Sequence, residues 1–142
     1  MRAPTVTDTL RYMLDMNIYI YIAKHQPPQV RARFEQLKPG QLVMSAITYG
    51  ELQYGAGKRS QRAGALLKLR QLIHDIPVES LDSAADQAYG EIRATLEKQG
   101  RPIGNNDLQI AAHAVALDVT LAAYNEREFR RIPGLSVENW AK

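Results

Sequence analysis

The 142-residue chain contains no cysteine, which excludes disulfides, thiolate metal sites and a cysteine nucleophile together. Histidine is scarce as well. His25, His74 and His113 lie far apart in sequence, so neighbouring residues assemble no histidine metal motif. No apolar run approaches the roughly 18 residues of a membrane-spanning helix. The opening MRAPTVTDTL lacks a basic segment followed by an apolar one, the pattern of an export signal. A soluble, cytoplasmic protein without a membrane partner is therefore expected. Internal repeats and low-complexity segments are absent too.

What is present is enough apolar material for one core: 45% of the residues are hydrophobic, and the length suits a single domain. The formal net charge is +3 and the pI is near 9.3, a weak lean toward a polyanionic partner. Residues 1–9, rich in Pro, Thr and Asp, read as a disordered extension. The single domain then runs from 10 to 142.

Along the chain, short apolar β-rich runs alternate with helical patterns. A strand from about Leu10 to Leu14 ends at Asp15, and Ile18, Ile22 and Ala23 follow at helical spacing. PPQVRARFEQL is a short helix with proline at its start, and PGQLVMSA turns into a second strand. Ser45 is placed to cap the helix AITYGELQYGAG. QRAGALLKLRQLIHD reads as a strongly amphipathic helix, IPVES as a strand, and DSAADQAYGEIRATLEKQG as a long helix stopped by Gly100 and Pro102. A helix from Asp107 to about Leu117, the strand VTLAAY, a helical turn EREF and a last strand LSVENW complete the order. Strands alternating with helices imply an α/β architecture, a mostly parallel sheet with helices on both faces.

In such a sheet the ligand site lies beyond the carboxyl ends of the strands. Asp15 ends the first strand, Glu51 lies in the helix after the second, and Asp107 opens the helix before a later strand. Drawn together, three carboxylates repel one another unless a divalent cation sits among them. Oxygen ligands of this kind suit Mg²⁺ or Mn²⁺, and Asn17, Asn105, Asn106 and Asn125 suit its bound waters. Such a centre performs phosphoryl chemistry, with Arg101, Lys98, Arg127, Arg130 and Arg131 as candidate phosphate contacts. Each acid also has a plainer reading: Asp15 as a turn residue, Glu51 as a solvated helix residue, Asp107 favoured by the helix dipole. His113 reads as a core or surface histidine, the tyrosines as packing groups, and EREFRR as a solvated face.

Four stretches in order, MLDMNIYIYI, LVMSAITYGELQYGA, GRPIGNNDLQIAAHAVAL and NEREFRRIPGLSVENW, resemble the successive motifs of VapC toxins, the PIN-domain ribonucleases of bacterial toxin–antitoxin pairs. The likeness runs from about Leu10 to Trp140. It implies a PIN-like three-layer α/β/α fold and a Mg²⁺- or Mn²⁺-dependent endoribonuclease, silenced by a VapB antitoxin and forming a homodimer. The resemblance assigns metal binding and catalysis to Asp15, Glu51 and Asp107, and a fourth catalytic position to Asn125. Asn17, Arg101, Asn106 and Arg127 are the candidate substrate contacts. Members with GRPIG before the third acid include enzymes that cut initiator tRNA in the anticodon stem-loop, so tRNA is the expected substrate.

Two positions depart from that pattern. Met16 and Ala123 stand where the family usually has threonine, and the loss of two hydroxyls near the metal predicts a slower nuclease. The alternative is a weakened or inactive module that still binds antitoxin and takes part in operon repression. A phosphatase or receiver-type aspartate at Asp15 is disfavoured, because it leaves the pairing of Glu51 with Asp107 unexplained.

Overall fold

The computed structural model describes residues 10–142, so the extension expected over 1–9 lies outside the described residues. The chain runs β1 (Tyr12–Leu14), α1 (Met16–Lys24), α2 (Pro28–Glu35), a 3₁₀ turn (Pro39–Gln41), β2 (Leu42–Ser45), α3 (Ala46–Gly57) and α4 (Arg62–Asp75). It continues through β3 (Val78–Glu79), α5 (Ser83–Lys98), α6 (Asn105–Leu117), β4 (Thr120–Ala122), α7 (Glu126–Phe129) and β5 (Val137–Glu138). The strands form one sheet in the order β3-β2-β1-β4-β5, and every neighbouring pair is parallel.

The central strands are apolar because both faces of the sheet are covered. All of Tyr12–Leu14 and Leu42–Ser45 are buried, and their side chains divide by the two-residue period of a strand. Met13, Val43 and Leu121 point into one cluster with Ile92 and Leu96 of α5 and Ile110 of α6. Tyr12, Leu14 and Met44 point into the other, with Ile18 and Ile22 of α1 and with Trp140. The result is a three-layer α/β/α fold. α6 is buried from Ile110 through Ala114, and its alanines let it lie close to α5 and the sheet. A larger side chain at Ala111 would overpack this contact.

The element order matches the sequence reading, with four differences of extent. β1 begins at Tyr12 rather than Leu10, and β5 is confined to two residues. α6 begins at Asn105, two residues before Asp107, because the Gly104 carbonyl already accepts from Leu108 N at 2.9 Å. α4 is less amphipathic in place than in sequence: among its described residues only Leu69 is buried, and Leu67 is 53% exposed. Among the described residues no helix is long and apolar enough to cross a membrane.

Candidate active site

From β1 the chain crosses toward β2 and β3, whereas from β4 it crosses the other way to β5. The sheet therefore has its switch point between β1 and β4, the position where open parallel sheets bind ligands. Asp15 leaves β1 at this crevice, its N–H bonded to the Ala122 carbonyl of β4 at 3.0 Å. Tyr124 and Asn125 leave β4 directly beside it.

Asp15 is both the N-cap of α1 and a buried carboxylate. Its Oδ1 accepts from Ile18 N at 3.1 Å, and only 6% of the residue is exposed. Burial pushes its pKa up to about 6, against the pull of hydrogen bonds from the Ile18, Tyr124 and Asn17 backbone; the charge of Asp107 adds to the rise. Asp107 lies in the first turn of α6, half-buried. Its pKa also stands at about 6, raised by burial first and then by the charges of Glu128 and Glu51. A helix N-terminus favours a carboxylate, so desolvation and like charge outweigh the dipole here. Glu51 enters from α3, whose first turn is fixed by Ser45 Oγ accepting from Ile47 N at 3.2 Å.

The acids thus act on one another electrostatically, but among the described residues no group of three or more acids or histidines is arranged to hold a metal ion. What the site offers a divalent cation is the pair Asp15 and Asp107, whose mutual repulsion such a cation would relieve. Thr48, three residues before Glu51 on the same helical face, is fully buried and its hydroxyl has no protein partner.

The expected supporting residues are sorted by the structure. Asn17 is half-buried in the first turn of α1, and Asn106, Arg101 and Arg127 are exposed. Asn125 Nδ2 donates to Glu128 Oε2 at 2.8 Å. Asn105 Oδ1 accepts from the Tyr89 hydroxyl at 2.6 Å, and Arg130 pairs with Glu126 at 3.1 Å on the surface. Lys98 ends α5 and is exposed, whereas Arg131 is half-buried.

Glu128 is the acid that the sequence reading left in a solvated face. Its other oxygen accepts from Gly104 N at 3.3 Å, joining the loop before α6 to the turn after β4. The available signal was its place three residues after Asn125, on the helical turn that follows β4. Ala123 is fully buried and follows Ala122, the partner of Leu14, so it lies across from Asp15 on the side of the sheet that Met13 and Leu121 face. Met16 and Ala123 both stand next to Asp15.

His113, a core residue as read from sequence, ties two acid-bearing helices together. Its Nδ1 meets Ser45 Oγ at 3.0 Å, and its ring also donates to the Ser80 carbonyl. Burial lowers its pKa, against the charges of Glu79 and Asp82. The neutral ring therefore accepts the Ser45 hydroxyl proton, and β2, α3 and α6 are locked in register.

Residues 12–135 match the PIN domain family, which defines the class. Ribonuclease VapC1 of Haemophilus influenzae (strain R2866) is 42% identical over 132 residues, covering 92% of this chain and 98% of the relative. The tRNA(fMet)-specific endonuclease VapC of Shigella flexneri is 40% identical over 132 residues, covering 93% and 99%. A crystal structure of DNA-bound VapBC from Salmonella typhimurium superposes with a TM-score of 0.87 at 37% identity, covering 92% of this chain and 98% of that one. The chain belongs to the VapC family of PIN-domain proteins.

Proposed function

We propose that this protein is the toxin of a VapB–VapC pair, a divalent-cation-dependent endoribonuclease that cuts tRNA in the cytoplasm. The observation that carries the reading is the convergence of Asp15 and Asp107 at the switch crevice of a VapC-family chain, both raised to about 6. Initiator tRNA is the favoured substrate, in keeping with the name of the Shigella relative.

In this reading Asp15, Asp107 and Glu51 would hold Mg²⁺ or Mn²⁺. A bound cation supplies an activated water and offsets charge on the phosphodiester in the transition state. The chain's own residues do the rest. Backbone N–H groups at Ile18, Tyr124 and Asn17 fix the Asp15 carboxylate, and Asn125 holds Glu128 in place. Asn17, Asn106, Arg101 and Arg127 contact the RNA backbone. Hydrolysis joins the water oxygen to phosphorus and breaks the bond to one ribose oxygen, which leaves carrying a proton.

The antitoxin has a place to dock. A groove of about 700 Å³ runs among α1–α4, with Ile20, Leu52, Ala56 and Leu69 among its apolar lining and Arg59 and Lys68 among its charges. It also reaches Met16 and Glu51, so a segment seated there would approach the crevice. A homodimer is part of the same reading, to be measured by light scattering. The test of function is incubation of purified, antitoxin-free protein with total tRNA in Mg²⁺, Mn²⁺ or EDTA. Discrete metal-dependent fragments are expected; no cleavage with either metal overturns the reading and leaves antitoxin binding as the function.

A further inference from the structure

Beside the carboxylates stands an aromatic side chain that packing does not explain. Tyr124 is 52% exposed, although it directly follows the fully buried Ala123, and it sits at the mouth of the crevice. Its backbone is held on both sides. The N–H points to the Asp15 carboxylate, and the carbonyl accepts from Asn139 Nδ2 at 3.1 Å and Glu126 N at 3.0 Å. Its ring meets that of Tyr21 edge to face, with centroids 5.7 Å apart and planes at 82°. Tyr21 is itself half-buried against the α1 side of the core. Tyr124 is thus a large apolar surface, open to solvent, on a rigid mount and within one residue of the reacting centre.

Resting on the ribonuclease reading above, we propose that Tyr124, buttressed by Tyr21, is the platform on which an unpaired nucleobase flanking the cut phosphodiester stacks. Single-stranded RNA is recognised in this way, because splayed bases present π faces and stacking on aromatic side chains tolerates any sequence. The adjoining charges suit nucleic acid: Arg127, three residues on, is exposed and can meet the phosphate of the same strand. A phosphodiester seated between Asp15 and Asp107 has its neighbouring base beside this ring. Stacking of this kind holds ground state and transition state alike, so it sets KM and the choice of bond rather than kcat.

The test uses the full chain and a single-stranded RNA containing the bond that the wild type cuts. Wild type and Asp107→Asn establish first that metal-dependent cleavage occurs; without it, the ribonuclease reading itself fails. Tyr124→Ala is then expected to raise KM by about 10-fold, the scale of losing one base–aromatic stack, with kcat nearly unchanged. Tyr124→Phe and Tyr124→Trp keep a ring and should retain the wild-type KM. An RNA with an abasic residue at the flanking position should lose as much with wild type as the intact RNA loses with Tyr124→Ala, and the two losses should not add. Thermal melting of the four proteins separates this result from misfolding. An unchanged KM and cleavage pattern in Tyr124→Ala would overturn the proposal, and so would weakened antitoxin binding at unchanged KM, which would give the ring to a protein partner.

Discussion

The two faces of the sheet are built to different standards. On one, α5 and α6 close over Met13, Val43 and Leu121 and leave a pocket of only about 150 Å³ beside Leu96 and Leu108. On the other, α1–α4 leave a groove of about 700 Å³, and Tyr54 of α3 and Leu67 of α4 are 70% and 53% exposed. The closed face contributes Asp107, and the open face contributes Glu51 and a docking surface. Asp15 lies on the seam. Both faces carry fully buried side chains, Ala111 and Leu121 on one and Ile18, Ile22 and Met44 on the other, and they differ in the groove left open beside α3 and α4.

The sharpest way to break this comparison is a pair of truncations. Leu96→Ala on the closed face should cost about 2–5 kcal/mol by urea unfolding, whereas Leu67→Ala on the open face should stay within about 0.5 kcal/mol. Equal costs would abolish the distinction. At the seam, Asp107→Asn should lower the cleavage rate by about 10²–10³-fold, the scale of losing one preorganised electrostatic group, without unfolding the protein. Next in size is His113→Ala. It strands the Ser45 hydroxyl and the Ser80 carbonyl and should cost about 1–3 kcal/mol, read as a lowered midpoint in the same unfolding experiment. The smallest effects concern the family departures: Met16→Thr should raise the cleavage rate by about 10-fold. Adding Ala123→Thr, at the position across from Asp15, should raise it further, and no gain in the double mutant would show that the missing hydroxyls do not limit the reaction.

Much of this was legible before any coordinates. Leu14 followed by Asp15 announced a strand ending on a carboxylate, Ser45 announced a helix cap, and alternating elements announced a parallel sheet. What stayed hidden depended on contacts between elements distant in sequence. Glu128 was concealed because EREFRR has the composition of a solvated helical turn, and its role comes from contacts to Gly104 and Asn125 brought together only by the fold. The start of α6 was missed by two residues because Gly104 caps through its backbone carbonyl and leaves no side-chain signal. The exposure of Leu67 could not be read from the helical pattern of α4, because a groove and a core interface demand the same spacing.

The pKa shifts make the seam testable through pH. Both aspartates sit at about 6, raised from 3.8. Their contribution to folding is therefore fully present below about pH 4 and is lost as pH rises through 6. Above pH 6 the charged pair opposes folding, and a bound cation removes that opposition. The most direct measurement is the cleavage rate of one RNA from pH 5 to 8 at low and high Mg²⁺, for wild type and Asp107→Asn. The wild-type rate should rise through the region of pH 6, with a midpoint that moves to lower pH as Mg²⁺ increases, and Asp107→Asn should be nearly inactive throughout. A flat profile, unaffected by Mg²⁺ and shared by Asp107→Asn, would contradict a site made of repelling carboxylates joined by a divalent cation.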